Sequence, residues 1–350
     1  MHCHDSGHDV AIVSYNQGIT YSLVYSVNCF FTLVELPQPD MKECYYIKMQ
    51  ANVHLVKSFT QNPELGSPTG VVLDFDGNLV DTHMQQIATK LNFAESVFVS
   101  PAEADDADYH LRFFAPKGEV DLCGHATIAA FHTLREQGEI QMNDTSDSVA
   151  LVQETRAGKL AVTCYSDGMV VMNQKAPEFG AIEGDRERVA QMLGFSLLIG
   201  DSETIFVDEL PLQIVSTGTP KLLIPLLDTQ ALHMIAPDLQ EIKIYCEETG
   251  ARGVYPFATN ELGQPADFYA RQFNPLADEN EDPITGVAAG ALGAYASKYA
   301  LLGGKRKFIV AQGYNLGMGG DMFVDASDGV RVGGYAVSYG KTRIALDADN

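Results

Sequence analysis

The sequence predicts an α+β protein of two pseudo-symmetric lobes, each a curved sheet around a central helix. The first observation is a motif that occurs twice. Arg112-Phe113-Phe114-Ala115-Pro116 is followed by Asp121 and then Gly124-His125-Ala126; Arg271-Gln272-Phe273-Asn274-Pro275 is followed by Asp282 and then Gly286-Val287-Ala288. The arginines stand 159 positions apart and the glycines 162, which reads as duplication of one architectural unit. The second observation is that each glycine opens a run of small residues. Ala126, Ala129 and Ala130 mark the first run, and Ala288, Ala289, Gly290, Ala291, Gly293 and Ala294 the second. A helix wrapped by a curved sheet needs such a slim waist, because interiors are close-packed. The third is that the remaining sequence is rich in strand-like segments separated by glycine turns. Two helix N-termini facing one cleft would suit an anion.

Residues 1–50 are read as an N-terminal extension, 51–165 as the first lobe and 166–350 as the second, with C-terminal strands able to cross back. In the first lobe Val53–Phe59 is a strand, Gly66–Gly70 a turn and Val71–Phe75 a second strand. Asp81–Leu91 reads as a helix with Met84, Ile87, Ala88 and Leu91 on one face. Asn92 to Glu95 leads into the strand Ser96–Val99, and Tyr109–Ala115 is another strand. A helix from Gly124 to Glu136 closes at Gly138. Further strands fall at Lys159–Cys164, at the end of the first lobe, and at Met169–Asn173, Leu212–Ser216 and Asp267–Phe273 in the second. Its helix runs from Gly286 to Leu301 and stops at Gly303-Gly304; Phe308–Gln312, Asp321–Asp325 and Gly334–Ser338 form a closing meander.

A chain of 350 residues is long enough for two cores, and 46% hydrophobic with 20% charged residues marks a soluble globular protein. The net charge of −23 argues against nucleic acid or an anionic membrane surface as partner. It leaves room for a small anionic metabolite, because donors in a cleft act locally. The six cysteines show no paired spacing, which suits free thiols in a cytoplasmic protein better than a disulfide framework or a structural zinc site. The apolar run from Ile19 to Leu36 lacks a basic flank and is interrupted by polar residues, so it reads as neither signal peptide nor membrane span. His2, Cys3, His4 and His8 could bind a soft metal but read as a loose terminus, and Met41 or Met49 could be the start.

Asp121-Leu122-Cys123-Gly124-His125-Ala126-Thr127 places a glycine, outward-facing amides and a titratable histidine at a helix start. The bland alternative is a helix capped by Asp121 with a packed histidine. Glu95, a lone acid where a strand begins among apolar neighbours, is a carboxylate that desolvation would push toward a useful range. Its bland alternative is a solvated helix-end acid.

Asn92-Phe93-Ala94-Glu95-Ser96-Val97-Phe98, Glu119-Val120-Asp121-Leu122-Cys123-Gly124-His125-Ala126-Thr127 and Glu281-Asp282-Pro283-Ile284-Thr285-Gly286 resemble, in order and spacing, three signatures of the PhzF family of phenazine-biosynthesis-like isomerases. The similarity runs from about Asn52 to near the C-terminus. It implies the diaminopimelate-epimerase fold, with the active site between the lobes. It implies a cofactor-free isomerisation, without metal, in which a glutamate moves a proton at carbon. By motif position the catalytic residues would be Glu95, His125 and Asp282, with Gly124, Thr285 and Gly286 at the substrate. A cytoplasmic homodimer in a biosynthetic process is the corresponding expectation. Val287 stands where the family often has Ser, Met318 where it often has Arg, and Ser67 where it often has Asn. The substrate is therefore less defined than the reaction class.

Three rival readings stand beside this one. Two-thiol racemisation needs a cysteine at each helix start; Cys123 fills one, but Asp282 to Gly286 contains none. Val71-Val72-Leu73-Asp74-Phe75-Asp76-Gly77-Asn78 resembles the first motif of haloacid-dehalogenase-type phosphatases, with Asp74 as nucleophile and Asp76 as acid, but lacks their later motifs. A non-catalytic, metabolite-binding member of the same fold is the third. The Gly317, Gly319, Gly320 cluster opens no helix and is not a dinucleotide site.

Overall fold

Strand pairing shows the duplication directly. The computed structural model describes residues 29–34, 46–142, 146–195, 205–259, 265–277 and 279–347, so the His2, Cys3, His4 and His8 cluster lies outside the described residues. The first half contains β1 (Cys29–Val34), β2 (Tyr46–Ser58), β3 (Ser67–Leu73), α1 (Asp81–Leu91), β4 (Ser96–Pro101), β5 (Tyr109–Ala115), β6 (Gly118–Val120), α2 (Gly124–Glu136), β7 (Ser148–Thr155), β8 (Gly158–Tyr165) and β9 (Val170–Asn173). β10 (Glu178–Glu183) and α3 (Arg186–Met192) follow. Then come β11 (Leu212–Ser216), β12 (Lys221–Leu226), α4 (Thr229–Met234), α5 (Leu239–Thr249), β13 (Val254–Thr259), β14 (Phe268–Ala270), β15 (Gln272–Asn274) and β16 (Glu279–Asp282). The chain closes with α6 (Gly286–Lys298), α7 (Leu301–Gly304), β17 (Lys307–Gln312), β18 (Gly320–Asp325), β19 (Arg331–Gly334) and β20 (Ala336–Ala345).

β2 pairs antiparallel with β3, β3 parallel with β4, β4 antiparallel with β5, and β5 parallel with β7, which leads through the β7–β8–β9 meander. In the same sequence β11 pairs antiparallel with β12, β12 parallel with β13, β13 antiparallel with β14, and β14 parallel with β17, which leads through β17–β18–β19. The two runs join where β9 pairs with β19. The strand after each meander changes sides. β10 leaves β9 and pairs with β11, whereas β20 leaves β19 and returns to pair with β2 along nearly its whole length.

The central helices are α2 and α6. Ala126, Ile128, Ala129, Ala130, Phe131 and Leu134 of α2 are fully buried, as are Ala288, Ala289, Ala291 and Leu292 of α6. Gly293 shows why α6 is so slim: a Cβ there would lie 2.6 Å from Val324 Cγ1 of β18. The repeated arginines have repeated partners. Arg112 Nε donates to Glu119 at 2.8 Å and Arg271 Nε to Glu281 at 2.8 Å, each in a two-pronged pair, and each guanidinium lies over the phenylalanine two residues on. The motif is thus a structural fastener between adjacent strands.

Helices α1 and α2 have the bounds that periodicity predicts, and Met84, Ile87 and Ala88 are buried on α1. Several elements differ from expectation. Ser67 and Pro68 already belong to β3, because the turn lies earlier, before Gly66 at φ +87°. The single strand expected at Asp267–Phe273 is broken at Arg271, whose N–H donates to Pro256 O. The helix from Gly286 ends at Lys298 rather than Leu301, where Ala300 and Leu302 turn left-handed at φ 52°. The final meander strand is two strands separated by Tyr335, since β20 must reach β2. Residues 46–50, placed in the extension by sequence, form the start of β2 and pair with β1.

Candidate active site

Glu95 sits in the turn between α1 and β4. Asn92 ends α1 in the left-handed conformation at φ 53°, donating its N–H to Ala88 O, and so swings the chain toward the start of α2. There Glu95 Oε2 lies 3.3 Å from His125 Nε2, with the two side chains 24% and 11% exposed. Ser58 Oγ, at the end of β2, donates to His125 O at 2.7 Å and fastens the first turn of α2. Cys123, the N-cap of α2, is buried, and its Sγ lies 3.4 Å from His125 Nδ1. Burial, and then the nearby Glu95 carboxylate, push the Cys123 thiol well above its ordinary range.

Asp282 ends β16, just before α6. Its Oδ2 accepts from Thr285 Oγ1 and its Oδ1 from Ile284 N at 3.2 Å. Burial raises its carboxyl above the ordinary value; Thr285 and then His125 oppose the rise, and Glu95 adds to it. The structure therefore brings Glu95, His125 and Asp282 into one electrostatic neighbourhood. Buried Gln312 anchors the Asp282 side of that group. Its Nε2 donates to Asp282 O at 2.7 Å, while its Oε1 accepts from Tyr255 Oη at 3.0 Å and Thr285 N at 3.2 Å. Lys221 also feels Asp282, and burial brings its ammonium down to about 8.

A cavity of about 260 Å³ opens beside this group, bordered by Gly124 and Gly286 at the two helix starts and by Val287, Lys175, Thr217 and Gly218. Glu95, His125 and Asp282 do not line this cavity; Gly124, next to His125 in the chain, does. Gln174 stiffens its α6 side: Nε2 donates to Gly286 O at 3.0 Å and Oε1 accepts from Thr217 Oγ1 at 2.5 Å. That contact requires a glycine at Gly290, where a Cβ would come 1.9 Å from Gln174 Oε1.

Gly124 and Gly286 border the cavity, whereas the Thr285 hydroxyl is directed at Asp282. Thr285 is the N-cap of α6, the place equivalent to Cys123, so the two helix starts carry one thiol and one hydroxyl. Asp121 does not cap α2; it is exposed and pairs with Arg156 at 3.4 Å. Asp74 has its two carboxylate oxygens engaged by Asn78 N and Leu79 N at 3.0 Å, so it braces a turn. Sequence reasoning missed Gln312 of β17, Tyr255 of β13 and Gln174 just after β9, which lie far apart in the chain. It also weighs Cys123 only as one half of a two-thiol pair, although its sulfur lies 3.4 Å from His125 Nδ1.

Comparison with known proteins follows the same lines. The model of the phenazine biosynthesis-like protein family, PhzC-PhzF, matches residues 56–341. An uncharacterized isomerase, YfhB, of Bacillus subtilis is 33% identical over 87% of this chain and 99% of its own. The uncharacterized isomerase YddE of Escherichia coli K12 is 33% identical over 73% of this chain and 82% of its own. The crystal structure of a PhzF-family phenazine biosynthesis protein from Bacillus anthracis superposes with a TM-score of 0.73 at 28% identity, covering 85% of this chain and 99% of that one. A hydroxyproline epimerase from Agrobacterium vitis shares the fold, with a TM-score of 0.56 at 13% identity over 85% and 93% of the two chains. The chain belongs to the phenazine biosynthesis-like family and has the epimerase-like fold of two pseudo-symmetric lobes.

Proposed function

We propose that this protein is a cofactor-independent isomerase that moves a proton between carbons of a small anionic metabolite, with Glu95 as the acid/base. The observation that carries the reading is the 3.3 Å approach of Glu95 Oε2 to His125 Nε2 at the first turn of α2, inside the field of Asp282. Relatives named as isomerases support the reaction class.

In this reading Glu95 takes a proton from a substrate carbon as the electron pair moves into the adjoining π system. It then returns the proton to another carbon on the same face. A base in this role needs water kept away and a partner that steadies the charge that develops. His125 is that partner for Glu95. Asp282, biased by burial toward its neutral form, supplies a donor to the substrate as negative charge builds. The substrate's anionic group lies in the cavity against the Gly124 and Gly286 amides, with exposed Lys175 at the border. Val287 closes with a methyl surface the position where relatives often present a hydroxyl, so substrate contact there is apolar. The cytoplasmic assignment rests on the unpaired cysteines, the lobe boundary near residue 165 on the sequence pattern, and the homodimer on family resemblance. No described helix is long and apolar enough to cross a membrane.

The test is incubation in D2O with a panel of small unsaturated and cyclic carboxylic acids, read by mass spectrometry. Deuterium entering one acid with wild-type protein, and not with Glu95→Gln, is the expected result. Tight binding with no exchange of any acid would instead leave a metabolite-binding protein. Exchange that survives Glu95→Gln would remove the glutamate from the mechanism.

A further inference from the structure

Glu95, Cys123 and His125 present three chemically different donor atoms, a carboxylate oxygen, a sulfur and a ring nitrogen, all within 4.8 Å of one another. Their separations can be compared with those a metal imposes. With Zn–S of about 2.3 Å, Zn–N of about 2.05 Å and Zn–O of about 2.0 Å, a tetrahedral centre holds S about 3.6 Å from N, and N about 3.3 Å from O. The protein has 3.6 Å between Cys123 Sγ and His125 Nε2, and 3.3 Å between His125 Nε2 and Glu95 Oε2. The donors come from two separate elements, the α1–β4 turn and the start of α2. The α2 donors are held there by Ser58 and by Thr127, whose Oγ1 donates to Cys123 O at 2.8 Å. Sγ also lies 3.4 Å from Nδ1, so metal binding requires the ring to turn about its Cβ–Cγ bond until Nε2 aims at a shared centre.

We infer that Glu95, Cys123 and His125 form a zinc-binding site within the active-site cleft, and that the bound ion is an inhibitor. The thiolate and imidazole select a borderline-soft ion over magnesium or calcium, which prefer oxygen. Binding replaces the thiol proton of Cys123 with the metal and releases that proton to solvent. Three protein ligands leave a fourth tetrahedral position for water. While zinc is bound, the Glu95 oxygen that would accept a carbon proton is held by the metal. Metal capture stands on geometry alone; inhibition rests on Glu95 being the base.

The experiment uses full-length protein carrying H2A, C3A, H4A and H8A, so that the terminal cluster does not compete. Zinc alone is titrated calorimetrically, and cobalt(II) is added separately to look for a thiolate-to-metal charge-transfer band. The expected result is one equivalent of zinc and a cobalt band, both present in this parent. Cys123→Ala abolishes the band and weakens zinc by roughly 100-fold or more, and Glu95→Gln by roughly tenfold or more, since losing a direct ligand should cost at least the roughly 10–100-fold that losing an outer-shell partner costs. No zinc binding, no band, or a band that persists in Cys123→Ala would overturn the site. Parent affinity in Glu95→Gln would remove the base from it and with it the inhibition. If deuterium exchange is found and zinc leaves it untouched, inhibition fails while the isomerase reading stands.

Discussion

Replacing Gln312 by leucine tests whether a buried amide holds the Asp282 side of the cleft in place. Gln312 is 2% exposed. Its side chain connects β17 to Tyr255 on β13, to the backbone of Asp282 and to the start of α6. Leucine keeps the approximate volume and removes both polar functions. Tyr255 Oη–H and Thr285 N–H then lose this acceptor, and Asp282 O loses its Nε2 donor. Each buried donor left without an acceptor costs about 1–3 kcal/mol, so the pair costs about 2–6 kcal/mol. Added apolar burial offsets roughly 1–2 kcal/mol. We expect a net loss of about 3 kcal/mol in urea denaturation with the slope unchanged. Deuterium exchange should fall more than stability explains, because the Asp282–Thr285 turn is no longer fixed. A folded variant that loses less than about 1 kcal/mol and exchanges at the wild-type rate would refute the positioning role.

Other predictions address charge and packing. Asp282 has a folded-state value raised by burial, so its contribution to stability is complete below the unfolded value of 3.8 and is lost as pH rises through the folded value. Asp282→Asn should therefore abolish exchange yet raise the denaturation midpoint, with a gain that grows above pH 3.8; a gain independent of pH would contradict this. The two arginine fasteners should differ in worth. Arg271, 11% exposed beside Glu281 at 15%, also caps the Leu232 and Ile235 carbonyls, so Arg271→Met should cost about 3–4 kcal/mol. Arg112→Met should cost about 1–2 kcal/mol, since Glu119 keeps Arg156 at 3.0 Å; equal losses in equilibrium unfolding would speak against this ordering. Gly293→Val, forced against Val324, should lose about 2 kcal/mol by overpacking despite better helix propensity, measured the same way.

How much of this was legible in the sequence follows from where each signal resides. Helix α2 was placed to the residue because small residues and bounding glycines encode it locally, and α1 because its apolar spacing does. The strand break at Arg271 was not legible, since it depends on a bond from Arg271 N to Pro256 O on a neighbouring strand. β12 and β13 carry no such local signal, because strands buried on both faces show weak periodicity. Glu95 and His125 are candidates from their local setting alone, and motif resemblance adds their roles; their approach is a long-range product of the α1–β4 turn and α2. Gln312 and Tyr255 had no sequence signal at all. A glutamine ending β17 and a tyrosine in β13 meet only because β14 pairs with both strands.

The pairing pattern explains why a duplicated scaffold carries one-sided chemistry. Each half must bury its own central helix, and that need preserves small residues and the arginine fastener in both copies. The strands that change sides, β10 and β20, tie each half to the other's sheet, so the two helix starts are held across one cleft. Nothing in that requirement constrains the residues at the starts themselves. At the first, Cys123 and His125 meet Glu95. At the second, Thr285 meets Asp282, and Gln312 braces both. Two thiols would suit a symmetric exchange of a proton between opposite faces. In the proposed mechanism a base on one side, with a carboxyl on the other that burial shifts upward, favours delivery and return on a single face. On that proposal the asymmetry at the N-caps separates proton shuttling by one glutamate from racemisation, and exchanging Thr285 for cysteine should not convert one into the other while burial keeps Cys123 protonated.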